Sequence, residues 1–249
     1  MDKDETLPKS INSLVNLRKI RLDFDIDADL NTSFKNLANN KKLKTLTLNL
    51  NGDQSVHLPP SLGKMVQLEK IEMFYLINAS LFLPKEIGNL IHLKELLLDN
   101  LNISQLPDEI GNLKSLEKLV LGKSKFKFLN ENITKLKNLK YLDLSSSSLE
   151  ALPKDIGRLK NLETFLLSYL DNDKVEFKIP PSLGKCKNLR FFNLKSSNIH
   201  EIPEEIGQLK NLEVLLLDAN ELTKLPEEIG QLKKLKVLSI WYNYIKELP

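Results

Sequence analysis

One stretch decides the fold because it occurs twice: IPEEIGQLKNLEVL at residues 202–215 returns as LPEEIGQLKKLKVL at residues 225–238. The second copy begins 23 residues after the first. Self-similarity at a fixed period of this length is typical of a solenoid, in which each unit buries its apolar face against its neighbours.

Leucines carry the same spacing along nearly the whole chain of 249 residues. Each unit contains an L-x-x-L-x-L segment, and the first leucines are 26, 25, 25, 23, 23, 23, 27, 23 and 23 residues apart. These anchors are Leu17, Leu43, Leu68, Leu93, Leu116, Leu139, Leu162, Leu189, Leu212 and Leu235. The pattern predicts one domain, residues 1–249, made of ten coils.

Composition argues against several kinds of partner. The formal net charge is only +3, and Lys and Glu are interleaved, so we expect no basic patch and no nucleic-acid binding. No apolar run approaches the roughly 20 residues of a bilayer span, so we expect no membrane insertion. The first residues, MDKDETLP, are acidic and polar, unlike a secretory signal peptide.

The unit L-x-x-L-x-L-x-x-N-x-L, followed by a segment such as LPEEIGQLKK at residues 225–234, resembles the leucine-rich repeat family. It is similar to the 23-residue repeats of bacterial proteins, including spirochaete ones. The resemblance implies an α/β fold: a right-handed solenoid with a parallel β-sheet on its concave face and short helices or 3-10 turns on its convex face.

The last-but-one unit shows how one coil should form. Leu215 and Leu217 alternate with Val214 and Leu216, so we expect the first pair inside and the second pair outside a short strand. Pro226 suits the first position of the helix that follows. Gly230 lies in that helix, where a missing side chain would permit close packing of successive coils.

An asparagine at the end of each strand is expected, by the resemblance, to bond the backbone of adjacent coils. This position holds Asn51, Asn220 and Asn243, then Ser124, Ser147 and Ser197, then Leu76, Leu101 and Leu170. Because leucine cannot replace the amide, we expect irregular turns in units 3, 4 and 7. Units 2, 3 and 7 also have extra residues that should bulge at the exit edge of the sheet, and FKNLANNKKL predicts a longer helix.

Residues with reactive side chains are few and scattered. Cys186 takes the place of a core leucine, so a buried structural thiol is expected. His57, His92 and His200 fall at unrelated positions of the coil and are expected at the surface. We therefore expect no catalytic residues, no metal site, no cofactor and no enzymatic activity.

The concave face is the candidate binding surface. From unit 3 onward its strand positions include large apolar residues, and such residues in a contiguous patch mark interaction sites. β-branched and aromatic residues also simply suit strands, which is the alternative explanation. The candidate residues for a protein partner are Phe74, Tyr75, Leu97, Val120, Tyr141, Leu166, Tyr169, Phe191, Leu216, Trp241 and Tyr242.

The last coil offers a second surface. After WYNYIKELP no capping sequence follows, so Leu238 and Ile240 should lack a cover. Open strand edges invite pairing, which predicts weak self-association there.

Resemblance to the bacterial members implies a secreted or cell-surface protein that contacts host proteins, with a cytoplasmic location left open. Two alternatives stay open as well: an intracellular signalling scaffold or immune-receptor sensor, and the substrate-recognition half of an effector enzyme.

Overall fold

The computed structural model describes residues 6–25, 28–51, 55–74, 80–171 and 175–249. Its strands are β1 (Lys19–Asp25), β2 (Thr45–Asn51), β3 (Val56–His57), β4 (Lys70–Phe74), β5 (Leu81–Phe82), β6 (Glu95–Leu97), β7 (Lys118–Val120), β8 (Tyr141–Asp143), β9 (Thr164–Leu166), β10 (Phe191–Asn193), β11 (Val214–Leu216) and β12 (Val237–Ser239). Ten of them pair in parallel in the order β1-β2-β4-β6-β7-β8-β9-β10-β11-β12, one strand per predicted coil. The fold is an α/β leucine-rich-repeat solenoid.

The register places equivalent positions of successive coils side by side. Leu46 of β2 pairs with Ile20 and Ile71, and Leu215 of β11 pairs with Phe192 and Leu238. Residues that pair in this way point to the same face, so one column of the sheet is apolar along its whole length.

Burial confirms the predicted alternation within a strand. Leu215 and Leu217 are fully buried, whereas Val214 and Leu216 are half-buried on the opposite side. The core is therefore a continuous stack of leucines between the sheet and the helices. Cys186 belongs to this stack, because it is fully buried, and burial raises the pKa of its thiol to about 11.

The helices on the convex side are short. The described residues contain one α-helix, α1 (Leu30–Leu37), which begins before the predicted segment FKNLANNKKL and overlaps it only at residues 34–37. The 3-10 helices are η1 (Lys9–Ser13), η2 (Pro60–Lys64), η3 (Lys85–Asn89), η4 (Asp108–Asn112), η5 (Glu131–Lys135), η6 (Ile156–Arg158), η7 (Pro181–Lys185), η8 (Glu204–Gln208) and η9 (Glu227–Gln231). None of the described helices has the length and apolar character needed to cross a bilayer.

The proline of the repeat lies one position earlier than predicted. Pro226 is the N-cap of η9, with ψ of 147°, and the first helical residue is Glu227. The cause is the tight i to i+3 bond: the Ile229 N–H donates to the Pro226 carbonyl at 3.1 Å. The carbonyl of Pro226 thus accepts the first hydrogen bond of η9, although Pro226 itself has an extended backbone. Pro60 and Pro181 do occupy the first helical position, because a second proline precedes each of them.

The repeated glycine permits close stacking of the helices. A Cβ added to Gly207 would lie 2.5 Å from the Glu228 carbonyl oxygen, whereas one added to Gly230 would have no neighbour within 4 Å. The prediction therefore holds for glycines whose helix is followed by another helix, such as Gly207, and not for Gly230 in η9, the last of the described helices.

Turns in units 4 and 7 have the same left-handed residue as the neighbouring coils, which corrects the expectation at that position, while unit 4 also has a second left-handed residue, Asn102, with φ of 50°. In all of units 4 to 10 the residue just before the ladder position has positive φ. These residues are Asn100, Lys123, Ser146, Tyr169, Ser196, Ala219 and Tyr242. Leu101 and Leu170 follow two of them and are buried, so leucine turns inward instead of bonding the backbone. Leu76 of unit 3 lies outside the described residues.

At Asn220 the predicted ladder bonds form. Asn220 Oδ1 accepts from the N–H groups of Ser197 and Ile199 at 3.0 and 3.1 Å. Its Nδ2 donates to the carbonyls of Leu194 and Leu217 at 2.8 and 2.9 Å. The buried amide therefore satisfies peptide groups of two successive coils.

The extra residues of units 2 and 3 form a second, two-stranded parallel sheet, β3 with β5. Its exposed edge carries His57, whose ring stacks on Phe82 with centroids 4.2 Å apart. In unit 7 part of the extra segment, residues 172–174, lies outside the described residues.

Candidate protein-binding face

The concave face consists of the strand side chains that point away from the core, and its central column is only partly apolar. Pairing places Leu97 beside Val120. The next members are Asp143, Leu166, Asn193, Leu216 and Ser239. Polar residues thus separate Leu166 and Leu216 from each other and from the first pair. The predicted band is broken.

The neighbouring column becomes continuously apolar at its C-terminal end. Phe191 pairs with Val214, and Val214 pairs with Val237. Val237 is 46% exposed. Three successive coils therefore present apolar side chains that lie side by side on this face.

The N-terminal part of the same face is charged. Lys70 Nζ lies 2.7 Å from Glu72 and 3.1 Å from Glu95, and Glu72 also accepts from Thr47 Oγ1 at 3.1 Å. The hydrogen bond to Glu72 raises the pKa of Lys70. The predicted residue Phe74 is half-buried beside this network, while Tyr75 lies outside the described residues.

Tyr141 marks the boundary between the two parts. The ammonium of Lys118 lies 4.7 Å from the centre of its ring, within cation–π distance. Burial, and then the carboxylates of Asp143 and Asp99, raise the pKa of the Tyr141 hydroxyl. Tyr141 is thus half-buried, and its ring is already in contact with a side chain of the same protein.

Of the predicted residues that the structure describes, three are strongly exposed: Tyr169 by 60%, Trp241 by 74% and Tyr242 by 84%. The others are half-buried. They are Phe74, Leu97, Val120, Tyr141, Leu166, Phe191 and Leu216. The structure therefore concentrates exposed aromatic surface at one end of the face.

These three aromatic residues come together around one depression of about 390 Å³, whose lining also includes Lys195, Asp218 and Ser239. We call this depression and its lining the aromatic site. Tyr169 and Tyr242 are the left-handed turn residues of their coils, with φ of 57° and 52°. The turn backbone therefore directs both rings.

An ion pair forms the floor of the aromatic site. Lys195 Nζ lies 2.7 Å from Asp218, which also accepts from the Trp241 N–H at 2.9 Å and from the Ser239 hydroxyl. Burial raises the pKa of Asp218, but the bonds from Lys195, Ser239 and Trp241 outweigh it and hold the pKa below its usual range. The carboxylate is ionised and fully partnered.

Sequence reasoning did not select Lys195 and Asp218. The available signal was their position: they occupy the same place in successive coils and carry opposite charge. Within the part of the chain that the structure describes, no group of three His, Cys, Asp or Glu residues could hold a metal ion. The aromatic site thus combines exposed rings with an ion pair whose charges are already neutralised, an arrangement that favours binding through apolar surface contact.

Fold and face together define a protein-interaction module of the solenoid type. A family model described as "Leucine-rich repeat region" matches residues 78–178 and 181–249. The chain therefore belongs to the leucine-rich repeat family, which is generally a family of non-enzymatic binding modules. No curated protein sequence gave a match.

Solved structures resemble the chain over nearly its whole length. A leucine-rich-repeat protein of Leptospira interrogans is 29% identical, with 98% of this chain and 83% of that one covered and a TM-score of 0.47. An internalin of Listeria monocytogenes is 20% identical, with 97% of this chain and 66% of that one covered and a TM-score of 0.73. The plant peptide hormone receptor RGFR1, in complex with RGF2, is 26% identical, with 96% of this chain and 42% of that one covered and a TM-score of 0.62. The chain spans less than two thirds of the last two structures.

Proposed function

We propose that this chain is a non-enzymatic recognition module that binds a protein partner through its concave face, with the aromatic site as the anchor. Residues 1–249 act as one unit in this proposal. The carrying observation is that Tyr169, Trp241 and Tyr242 are all strongly exposed and line one depression. Tyrosine and tryptophan are the residues that most often dominate protein interfaces.

The adjoining apolar column enlarges the contact. Phe191, Val214 and Val237 continue from the aromatic site along the same face. The Lys195–Asp218 pair already satisfies its own charges, so a partner need not supply a counter-ion to cover it. These features favour a partner with an apolar patch and a polar rim.

Similarity to the plant receptor supports a peptide or protein ligand, since that receptor was solved with RGF2 bound. The resemblance of the repeats to bacterial ones favours action at the cell surface or after secretion. The modest net charge of +3 favours a protein over a nucleic acid on this face.

The test is capture of partners from extracts of host cell surfaces by immobilised protein, with binding of each captured protein then measured by interferometry. Changing Tyr169, Trp241 and Tyr242 together to alanine should weaken binding at least about thirtyfold, since a single interface hot spot contributes about 2 kcal/mol or more. The aspartate variant of Leu97, Leu166 and Leu216 tests how far the contact extends along the face.

A matched control removes exposed apolar surface elsewhere. Phe128, Val66 and Ile91 are 66, 44 and 51% exposed and lie off the concave face. Their triple alanine variant should bind as the unchanged protein does, and circular dichroism should show both variants folded. Equal capture by the folded aromatic variant would refute the proposed site.

A further inference from the structure

A second surface lies in the turns that lead from each 3-10 helix into the next strand. Six consecutive coils carry lysine at the same position of this turn. This lysine row consists of Lys114, Lys137, Lys160, Lys187, Lys210 and Lys233. All six are exposed. At the same position coils 1, 3 and 4 have Val15, Val66 and Ile91, and coil 2 has an isolated lysine, Lys41, so the unbroken row is confined to the C-terminal six coils.

Three residues further along each coil, charge is arranged differently. This charge ladder is Lys44, Glu69, Lys94, Glu117, Lys140, Glu163, Arg190, Glu213 and Lys236. Its signs alternate, and several neighbours are paired: Glu69 lies 2.9 Å from both Lys44 and Lys94, and Glu213 lies 2.6 Å from both Arg190 and Lys236. The five cations and four carboxylates of the ladder therefore leave a net charge of only +1.

No such cancellation occurs in the lysine row. Among the described residues, none of the six ammonium groups forms an ion pair with a carboxylate. Lys135, Arg158 and Lys185 stand at the helix ends beside the row, and only Arg158 has an acidic partner, Asp155, at 2.7 Å. The turn side of the C-terminal coils thus carries positive charge in excess.

Backbone carbonyls accept hydrogen bonds from four of the six ammonium groups, those of Lys114, Lys137, Lys160 and Lys187. Lys137 Nζ, for example, donates to the Thr134 carbonyl at 2.9 Å. Such bonds satisfy carbonyls near helix C-termini, which explains these four lysines one by one. They do not explain why coils 3 and 4 end equivalent helices with Val66 and Ile91 in that place.

Like charges in the row repel one another. Burial, then the neighbouring cations Arg158, Lys114 and Lys160, lower the pKa of Lys137. Burial and the ammonium groups of Lys160 and Lys210 do the same for Lys187. An anionic ligand would relieve this repulsion.

We propose that the lysine row binds a linear sulfated polysaccharide laid along the solenoid axis. Successive lysines belong to coils whose strands are about 4.8 Å apart, a spacing comparable with the length of one sugar ring. One charged group per coil matches a chain with anionic groups repeated along its length.

The residues flanking the row favour a polysaccharide over a nucleic acid. An asparagine column lies next to it, and the amides of Asn138, Asn161 and Asn211 donate to the backbone carbonyls of row lysines in the preceding coils at 2.8, 2.9 and 2.8 Å, which fixes the backbone of the row from coil to coil. Single-stranded nucleic acid sites combine a basic groove with aromatic side chains on which bases stack. Residues 112–115 and their equivalents in the other five coils, which comprise the row and three neighbouring columns, contain no aromatic residue.

Heparin serves as the test ligand, with its affinity measured by calorimetry over a range of salt concentrations. In a variant with glutamine at Lys137, Lys160 and Lys187, the slope of log K against log salt should fall in magnitude by about 2 to 3, since each lost contact contributes about 0.7 to 0.9. Arginine at the same three positions should preserve the slope, which separates charge from helix capping.

A matched control loses the same charge elsewhere: glutamine at Lys125, Lys178 and Lys224, which are exposed on the opposite edge of the coils. It should bind heparin as the unchanged protein does. An unchanged slope in the first variant, or an equal loss in the control, would overturn the proposal. Tighter binding of a single-stranded oligonucleotide of equal charge would also overturn it. Normal heparin binding by the aromatic-site variant is expected, so this test does not depend on the concave face.

Discussion

Alanine at Gly207 and alanine at Gly230 are the same chemical change in the same motif, IGQL, but the structure gives them opposite environments. At Gly207 the added Cβ would lie 2.5 Å from the carbonyl oxygen and 2.7 Å from the Cβ of Glu228. At Gly230 it would have no neighbour within 4 Å. The pair isolates coil-to-coil packing from every local effect of the substitution.

The magnitude follows from the overlap. Carbon atoms pack best at about 3.5 to 4.0 Å, so a Cβ at Gly207 would intrude by about 1 Å on atoms fixed in the next coil. Overpacking of this kind costs about 1 to 3 kcal/mol of unfolding free energy. Without a clash, Gly230→Ala should stabilise by about 0.4 to 1 kcal/mol, because alanine restricts the unfolded chain.

Thermal and urea unfolding, followed by circular dichroism, measures both effects. In a chain of this size 1 kcal/mol shifts the Tm by about 2 to 4 °C, so Gly207→Ala should lower the Tm by about 2 to 12 °C. Gly157→Ala should lower it further, because its Cβ would lie 1.8 Å from the Ser182 carbonyl oxygen. If Gly207→Ala keeps the original Tm, or Gly230→Ala loses as much, close stacking is not the reason for the repeated glycine.

Two further predictions concern polar groups. Hydrogen bonds from Lys94 and Lys44 lower the pKa of Glu69 to about 2 from 4.5, so its ionised form stabilises the fold above pH 4.5 and less as pH falls toward 2. The urea midpoint of Glu69→Gln should therefore lie below that of the unchanged protein at pH 7 and meet it near pH 2; a constant difference would contradict this. Asn220→Ala should lower the unfolding free energy by about 2 kcal/mol or more, because buried peptide groups lose their partners. Asn243→Ala, at a more exposed ladder position, should cost less in the same urea titration, and equal costs would count against the burial argument.

The solenoid was predictable from the sequence because each coil must bury its apolar face against the next, and this need produces a regular repeat of leucines. Leucine spacing predicted the strands and their pairing, and it predicted that Cys186 would replace a core leucine. Each unit packs against its neighbours through the same apolar surface, so residues one period apart in the sequence are predicted to be in contact.

Local geometry was less predictable. The position of Pro226 depends on whether the helix closes with i to i+3 or i to i+4 bonds, and five residues of sequence do not distinguish them. The left-handed residues before Leu101 and Leu170 were also missed, because the turn depends on that residue as well as on the asparagine.

For the candidate site, alternation predicted which strand side chains point away from the core but not how exposed they are. Leu97 and Leu166 point outward and are still half-buried, since side chains of adjacent strands shield them, whereas Trp241 has a neighbour on one side only. Interleaving of Lys and Glu along the chain suggested evenly mixed charge. Coiling instead gathers every equivalent position into one column, which yields both the charge ladder and the lysine row.

The charge ladder also limits how such a chain can change its length. Loss of the single coil that contains Glu117 would bring Lys94 beside Lys140, and like charges would then face each other across the new junction. Loss of two adjacent coils would restore the opposite signs. Loss or duplication of an even number of coils therefore keeps opposite charges side by side in the ladder. Loss or duplication of an odd number places like charges side by side at the new junction.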